Sequence, residues 1–221
     1  EMSDETGANR AESVPRETEE PAGEKQTKPK KDLQFRLYRL LLQKYADLVN
    51  EHEKRTIGEI KGLVNSEDLT IQSILSDFKS PDYDFQRDYL EVAGRVFDFV
   101  VREIDYVDPE MNLNYWLTAK EVFSAKIGDD EDLAVFLCSL LLALGDEKAA
   151  VVIAELNNLR THAFVVTEFG GKFFILDPSQ PHAFKQFSGT KEEALQKYSF
   201  KKAKIKRFLY KFNHSTYEQF M

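Results

Sequence analysis

The chain reads Trp116-Leu-Thr-Ala-Lys-Glu121, then Gly128-Asp-Asp-Glu-Asp132-Leu-Ala134, and continues as an apolar run to Leu144-Gly145. Further on it reads His162-Ala-Phe-Val-Val166 and Phe174-Ile-Leu-Asp177-Pro178. Four consecutive acids before an apolar run indicate the start of a helix, because carboxylates complement the positive end of the helix dipole. The later motifs lie in segments rich in β-branched residues, which are typical of strands. This stretch therefore predicts a helix followed by strands, one carrying a histidine and another ending in an aspartate.

The rest of the second half predicts an antiparallel sheet. Strands are expected over residues 149–156 and 160–168, and Gly170-Gly171 predicts a tight hairpin into a strand over 172–177. A last strand is expected over 204–212, with several lysines at its start. A charged edge strand that resists aggregation explains these lysines better than a site for an anionic ligand.

The first half predicts helices, because apolar residues recur at steps of three and four. Helical stripes run over about 33–54, 57–64, 69–78 and 85–104. Each stripe is expected to face the core, with a partner-binding role for the first helix as the alternative. Helices first and strands afterwards predict an α+β fold, in which a helical N-terminal half packs on an antiparallel sheet.

Three regions are expected along the chain. Residues 1–31 predict a disordered, acidic, Pro-containing tether, since a segment with so few large apolar residues cannot offset its ordering entropy. Residues 32–84 predict a helical region that packs on the core, and residues 85–221 the core domain itself.

Composition bounds the class of function. The 221 residues are 42% hydrophobic and 12% aromatic, which is enough for a packed core. The formal net charge of −8 argues against nucleic acid as the main partner. No apolar run reaches the roughly 18 residues of a membrane span. The location stays open between the cytoplasm and a tethered position outside the cell, held by a segment upstream of Glu1.

The single cysteine, Cys138, excludes an internal disulfide and a paired-cysteine metal or redox site. It follows Phe136 and Leu137 and precedes Leu140 and Leu141. A cysteine in such surroundings is usually a small core residue, so Cys138 is not expected to act as a nucleophile.

In order and spacing, the four motifs resemble those of the transglutaminase-like superfamily, cysteine enzymes of papain-like fold, and its microbial members in particular. The resemblance covers about residues 85–180. It implies a cysteine at a helix N-terminus, a histidine base and an aspartate that orients the histidine. The base falls on His162, the orienting acid on Asp177, and an aromatic residue near the oxyanion site on Trp116. The position of the cysteine falls on Asp130.

Asp130 has three interpretations. It could be an acid that complements the helix dipole, a carboxylate that acts as nucleophile or as acid/base, or a ligand of a divalent metal together with His162 and Asp177. Because the resemblance places the histidine between the two acids, hydrogen bonding is favoured over convergence on one ion, and no metal or other cofactor is expected. Two neighbouring carboxylates predict a raised pKa for His162. His182 follows Asp177-Pro178 within five residues and is expected to lie in an exposed loop, with a position lining the same cleft as the alternative.

The sequence favours a transglutaminase-like domain that has lost its nucleophile and serves as a non-catalytic module for peptide or protein binding, or for scaffolding. A peptide or protein ligand is expected in the cleft. The alternative is a cysteine-type peptidase or acyltransferase of the same family. Its cysteine would have been replaced naturally or by engineering, or Asp130 would act in hydrolysis, with or without a metal. The oligomeric state stays open.

Overall fold

A computed structural model describes residues 30–108 and 115–221 of the chain. The chain divides into two compact units, Glu1–Leu42 and Gln43–Met221. The tether predicted over residues 1–31 lies outside the described residues, except that Lys30 and Lys31 already belong to the first helix. The predicted boundaries at residues 32 and 85 stay predictions.

The first helix, α1, spans Lys30–His52 and differs from its prediction in one respect. Its apolar stripe is exposed to solvent, with Leu37, Leu40 and Leu48 each more than half exposed. The periodicity located the helix and its apolar stripe correctly. The expectation that this stripe faces the core was wrong, because a periodic pattern does not distinguish a buried stripe from an exposed one.

Six further helices and eight strands complete the described structure. The helices are α2 (Ile57–Leu63), α3 (Leu69–Leu75), α4 (Phe85–Glu103), α5 (Ala119–Ala125), α6 (Asp130–Ala143) and α7 (Lys191–Lys197). The strands are β1 (Asp105–Tyr106), β2 (Ile127–Gly128), β3 (Ala150–Leu156), β4 (Thr161–Phe169), β5 (Lys172–Leu176), β6 (Ser188–Gly189), β7 (Ile205–Phe212) and β8 (Tyr217–Gln219). Within the described ranges, none of the helices is long and apolar enough to cross a membrane.

Six of the strands form one sheet in the order β6-β5-β4-β3-β7-β8, and each neighbouring pair is antiparallel. Together with the helices, this sheet confirms the predicted α+β class. The expected edge position of the strand over 204–212 was wrong, because β7 lies between β3 and β8. Its Lys206 and Arg207 instead contact Glu155 of β3 at 2.6 and 2.7 Å.

The sheet is covered on both faces. Alternate side chains of β4 point to opposite sides, so that Val165 belongs to one buried cluster and Phe164 to the other. The first cluster includes α6, which is buried along most of its length, and the buried stripe of α4. The second includes Tyr198 and Phe200 from the segment between α7 and β7. This arrangement places the start of α6 beside β4.

The end of α6 is fixed by a glycine turn. Gly145 adopts a positive φ of 97°, and its N–H donates to the carbonyl of Leu142 at 2.9 Å. The next N–H, from Asp146, donates to Leu141 at 3.1 Å. This pair of bonds is the Schellman motif, which satisfies the last carbonyls of a helix and favours glycine.

Asp146 joins three elements in the core. Its carboxylate accepts hydrogen bonds from the Tyr89 hydroxyl of α4 and from Thr167 Oγ1 of β4, the latter at 2.6 Å. Burial raises the pKa of Asp146, and these hydrogen bonds partly oppose that effect. The carboxylate therefore links the end of α6 to both the neighbouring helix and the sheet.

Candidate functional site

The N-terminus of α6 carries the four acids that the sequence singled out. Asp129 caps the helix, and its carboxylate accepts from the N–H of Asp132 at 3.0 Å. In return, the carboxylate of Asp132 accepts from the Asp129 N–H at 3.3 Å, and it also accepts from the Leu117 N–H at 2.7 Å. These reciprocal bonds form a capping box. They fix the first turn, in which Asp130 is directed toward β4.

Asp130, His162 and Asp177 lie together, and we refer to them as the Asp–His–Asp cluster. Asp130 Oδ2 lies 2.8 Å from His162 Nδ1, and Asp177 Oδ2 lies 3.0 Å from His162 Nε2. Asp130 Oδ2 also accepts a hydrogen bond from the backbone N–H of Ala163 at 2.8 Å. The histidine side chain is 1% exposed. The structure thus joins three residues that the sequence singled out, while their functional role stays a prediction.

Asp177 is the more heavily bonded of the two acids. Its fully buried carboxylate accepts from Ser179 Oγ at 2.6 Å, Gln180 Nε2 at 2.7 Å and Tyr198 Oη at 2.7 Å. The backbone N–H of Ser179 donates to it as well, at 3.1 Å. These donors stabilise a buried negative charge, since an unpaired carboxylate would be costly in such a place.

Phe200 covers one face of the histidine. The two rings are stacked, and Phe200 is itself buried with 6% exposure. The turn that follows contains Lys201 and Lys202, both with positive φ. Lys201 and Arg160 each form an ion pair with Asp108. The ion pair between Lys201 and Asp108 thus holds the turn at the surface, while Phe200 packs on the imidazole beneath it.

The electrostatics of the cluster favour a charged histidine. Burial alone would lower the pKa of His162, but hydrogen bonds to Asp130 and Asp177 outweigh it and raise the pKa to about 9. Burial also opposes ionisation of Asp177, yet the bonds from His162, Ser179 and Tyr198 hold its pKa below the ordinary value. The predicted upward shift of the His162 pKa is confirmed in direction, and the pair is an imidazolium with a carboxylate near neutral pH.

The other acids of the α6 N-terminus behave differently. Burial and the neighbouring carboxylates raise the pKa of Asp129 to about 7 and that of Glu131 to about 8. Burial raises the pKa of Asp132 too. Part of this acidic turn is therefore protonated near neutrality.

The cluster is arranged for hydrogen bonding. The two acids contact opposite nitrogens of one imidazole ring, so their oxygens do not converge on a single point. Among residues 30–108 and 115–221, no group of three or more histidine, cysteine, aspartate or glutamate side chains is placed to hold a metal ion. The metal interpretation of Asp130 therefore finds no geometric support in the described part of the chain.

Trp116 and Cys138 lie away from the cluster's hydrogen bonds. Trp116 is buried, its carbonyl accepts from Arg55 Nη2 at 3.2 Å, and its ring lies 6.3 Å from that of Phe212. Cys138 is fully buried, and burial strongly raises the pKa of its thiol. A role for Trp116 in the site stays a prediction, whereas the expected core position of Cys138 is confirmed.

His182 is placed differently from its prediction. Instead of lying exposed in a loop, it is half-buried against Phe97 and Phe187. Its Nε2 accepts from the backbone N–H of Asp177 at 3.2 Å, which leaves Nδ1 to donate to the Ala183 carbonyl at 2.9 Å. Burial lowers the pKa of His182, in keeping with this neutral form. His182 therefore supports the strand end that carries Asp177.

A cavity of about 530 Å³ opens beside Trp116. Glu131 and Thr161, which are the chain neighbours of Asp130 and His162, also line it. The remaining wall comes from α2, β3, β7 and β8. The cavity therefore borders the Asp–His–Asp cluster on the side of the acidic turn.

Two comparisons of the sequence found similar proteins. Residues 114–206, less than half of the chain, match the CEP76 peptidase-like domain family. Human protein CC2D2B is 28% identical over 107 residues, which are 45% of this chain and 7% of that protein. The chain thus corresponds to a small part of this relative's length.

The comparison with solved structures found two chains whose backbones are partly similar to this one. Legionella pneumophila LapG is 17% identical, has a TM-score of 0.49, and the match covers 75% of this chain and 88% of LapG. A candidate cysteine protease from Cytophaga hutchinsonii is 16% identical with a TM-score of 0.40, over 69% of this chain and 55% of that one.

Proposed function

We propose that this chain is a transglutaminase-like, papain-related domain that has lost its nucleophile and acts as a non-catalytic module that binds a peptide or protein. One observation supports this above all others. At the position where the resemblance expects the cysteine, the Asp130 carboxylate is bonded both to the His162 imidazole and to the Ala163 N–H. The match to a peptidase-like family spans the positions of all four motifs.

The chemistry of a carboxylate explains why turnover is not expected. Cysteine enzymes rely on a thiolate that forms a thioester. A carboxylate attacking an amide would have to form a mixed anhydride, which is a much less stable intermediate. Like a thiolate, the Asp130 carboxylate places a negative charge beside the imidazolium, but it does not supply the sulfur nucleophile. The cluster then acts as an ion pair that holds α6 on β4.

The state of the histidine supports the same proposal. With its pKa raised to about 9, His162 carries a proton near neutral pH and is a poor base for activating water. One face of its ring is covered by Phe200. A hydrolytic role for Asp130 would need an unprotonated base beside it. The neighbouring His162 is instead protonated and covered on one face.

The test is an Asp130→Cys substitution in a Cys138→Ala background, which removes the only other thiol. We expect the unchanged chain to cleave no member of a mixed peptide library. We expect iodoacetamide to alkylate the introduced thiol rapidly at neutral pH, because the neighbouring imidazolium stabilises a thiolate there. The Cys138→Ala variant alone is the control and should not be labelled, since it contains no thiol.

Two outcomes would contradict the proposal. Peptide cleavage by the unchanged chain that disappears in Asp130→Asn would show that the carboxylate is catalytic. Failure of the new thiol to react, in a variant whose urea midpoint is unchanged, would show that the position is not equivalent to a nucleophile site.

A further inference from the structure

The cavity beside Trp116 combines an apolar wall with one acid. The wall includes Ile60 from α2, Ile153 from β3 and Leu209 from β7. Among the described residues that line it, Glu131 is the only carboxylic acid. Such a cavity favours a ligand that is apolar along its length and cationic at one end.

The carboxyl group of Glu131 has no partner among residues 30–108 and 115–221. Within the described ranges, no group donates a hydrogen bond to it or forms an ion pair with it. Lys61, which also lines the cavity, instead donates from Nζ to the carbonyl of Ser215 at 3.0 Å. Burial, reinforced by Asp129, Asp130 and Asp132, raises the pKa of Glu131 to about 8, and the charge of His162 only partly opposes this. A cation bound here would stabilise the ionised carboxylate.

We propose that this cavity receives a lysine or arginine side chain of a bound peptide, with its aliphatic part on the apolar wall and its charged head at Glu131. The proposal deepens the peptide-binding function above and rests on it. Long basic side chains favour such sites because their methylene groups prefer apolar contact while the head needs an acceptor. The cavity's volume of about 530 Å³ suits one such side chain with some adjoining backbone. The net charge of −8 favours the approach of cationic peptides.

The chain carries its own reporter for the test. Trp116 is its single tryptophan and lines the cavity, so its fluorescence reports occupancy. Three pentapeptides carry lysine, norleucine or glutamate at the centre and are otherwise identical, with blocked ends and no other charged side chain. Each is titrated into the protein while the Trp116 emission is followed. We expect the lysine peptide to bind about tenfold more tightly than the norleucine peptide, because only lysine pairs with the carboxylate. The glutamate peptide should bind most weakly.

Two variants assign the preference to the cavity. Glu131→Gln keeps the shape and removes the carboxyl group that a bound cation would ionise, and should bind the lysine and norleucine peptides within about twofold of each other. Thr161→Lys, at an exposed position on the rim, supplies a competing cation and should weaken binding of the lysine peptide about tenfold. As a control, Glu192→Gln removes the same charge from an exposed position on α7 and should keep the full preference. Urea midpoints show that each variant is folded.

The remaining outcomes separate this proposal from the function it rests on. Binding without a preference for lysine, or a preference that survives Glu131→Gln, overturns the assignment of the cavity and leaves peptide binding intact. Absence of any fluorescence change up to about 1 mM of every peptide overturns the assignment and the peptide-binding role together. The Asp130→Cys experiment tests the lost nucleophile independently of all these results.

Discussion

The imidazole of His162 and the ring of Phe200 are stacked, with centroids 3.7 Å apart and 12° between their planes. A cation placed over an aromatic face is attracted by the ring's negative potential. Phe200 therefore stabilises the same charged form of the histidine that the two carboxylates favour. It also keeps water from that face of the ring.

Replacing Phe200 tests this contribution. We expect Phe200→Ala to lower the free energy of unfolding by about 3–5 kcal/mol, since a large buried aromatic side chain is removed. Phe200→Leu should cost less because it keeps most of the buried apolar area. Urea denaturation at neutral pH measures both. Equal, negligible losses would mean that the ring is not packed as described.

Stability should fall as the pH rises through the alkaline range. Because the pKa of His162 is raised from 6.5 to about 9, its contribution is complete below pH 6.5 and is lost as the pH approaches 9. This contribution amounts to about 3 kcal/mol. The raised pKa values of Asp129 and Glu131 act in the same direction at lower pH, since they lower stability between their ordinary values of 3.8 and 4.5 and the folded values of about 7 and about 8. Urea denaturation at a series of pH values from about 5 to about 10 measures this decline in the free energy of unfolding.

An NMR titration measures the pKa of His162 separately from those of Asp129 and Glu131. The Cε1–H signal of His162 should shift with a midpoint well above 6.5. A midpoint at or below 6.5 would contradict the ion pairs on both sides of the ring.

The two acids of the cluster should differ in their cost of replacement. Asp177→Asn should destabilise the fold by about 3–5 kcal/mol, since it removes a fully buried charge on which several donors converge. Asp130→Asn should cost about 1–3 kcal/mol, because its amide oxygen can still accept from the Ala163 N–H. Urea midpoints compare the pair. The reverse order would show that Asp130, not Asp177, is the main support of the imidazolium.

Two glycines should respond to alanine with opposite signs. Gly145→Ala should cost about 1–2 kcal/mol, because φ is +97° and the new Cβ would lie 3.4 Å from the Phe85 ring. Gly62→Ala is the matched control, in α2 with nothing within 4 Å of the new Cβ, and should gain about 0.5 kcal/mol. Thermal denaturation measures both. A loss at Gly62 equal to that at Gly145 would contradict the turn geometry.

Cys138 should be inert in the folded chain. Its side chain is fully buried and burial strongly raises the thiol pKa, so a thiol reagent can reach it only after the structure opens. Labelling by Ellman's reagent should be at least about a thousandfold slower in buffer than in urea. Rapid labelling under native conditions would place the thiol near the surface.

Local signals predicted the elements α6, β4 and β5, whereas the placement of His162 between Asp130 and Asp177 was implied by the resemblance to the transglutaminase-like superfamily. Acids before an apolar run mark a helix start, and the double glycine marks a hairpin. Other residues that contact the cluster come from segments far along the chain, whose sequences contain no motif that marks them. Phe200 covers the histidine from a turn 38 positions further along, and nothing in its neighbours distinguishes it from an ordinary core residue.

The errors have physical causes as well. The last strand was expected at an edge because β8, over Tyr217–Gln219, is too short to give an alternating pattern. The helix α7 was overlooked although Thr190 and Glu193 form a capping box that the sequence displays. Whether the stripe of α1 would be covered could not follow from periodicity, which reports only that one side is apolar.

Helix α6 is fastened to β4 by a carboxylate at each end. Asp130 holds its first turn through His162 and the Ala163 N–H, and Asp146 holds the segment just beyond its last turn through Thr167. The helix therefore cannot slide or rotate over the sheet without breaking the hydrogen bonds of both carboxylates, of which Asp146 is buried. This double attachment predicts that α6 and β4 exchange their amide hydrogens as one slow cooperative unit, which opens only when the whole domain unfolds.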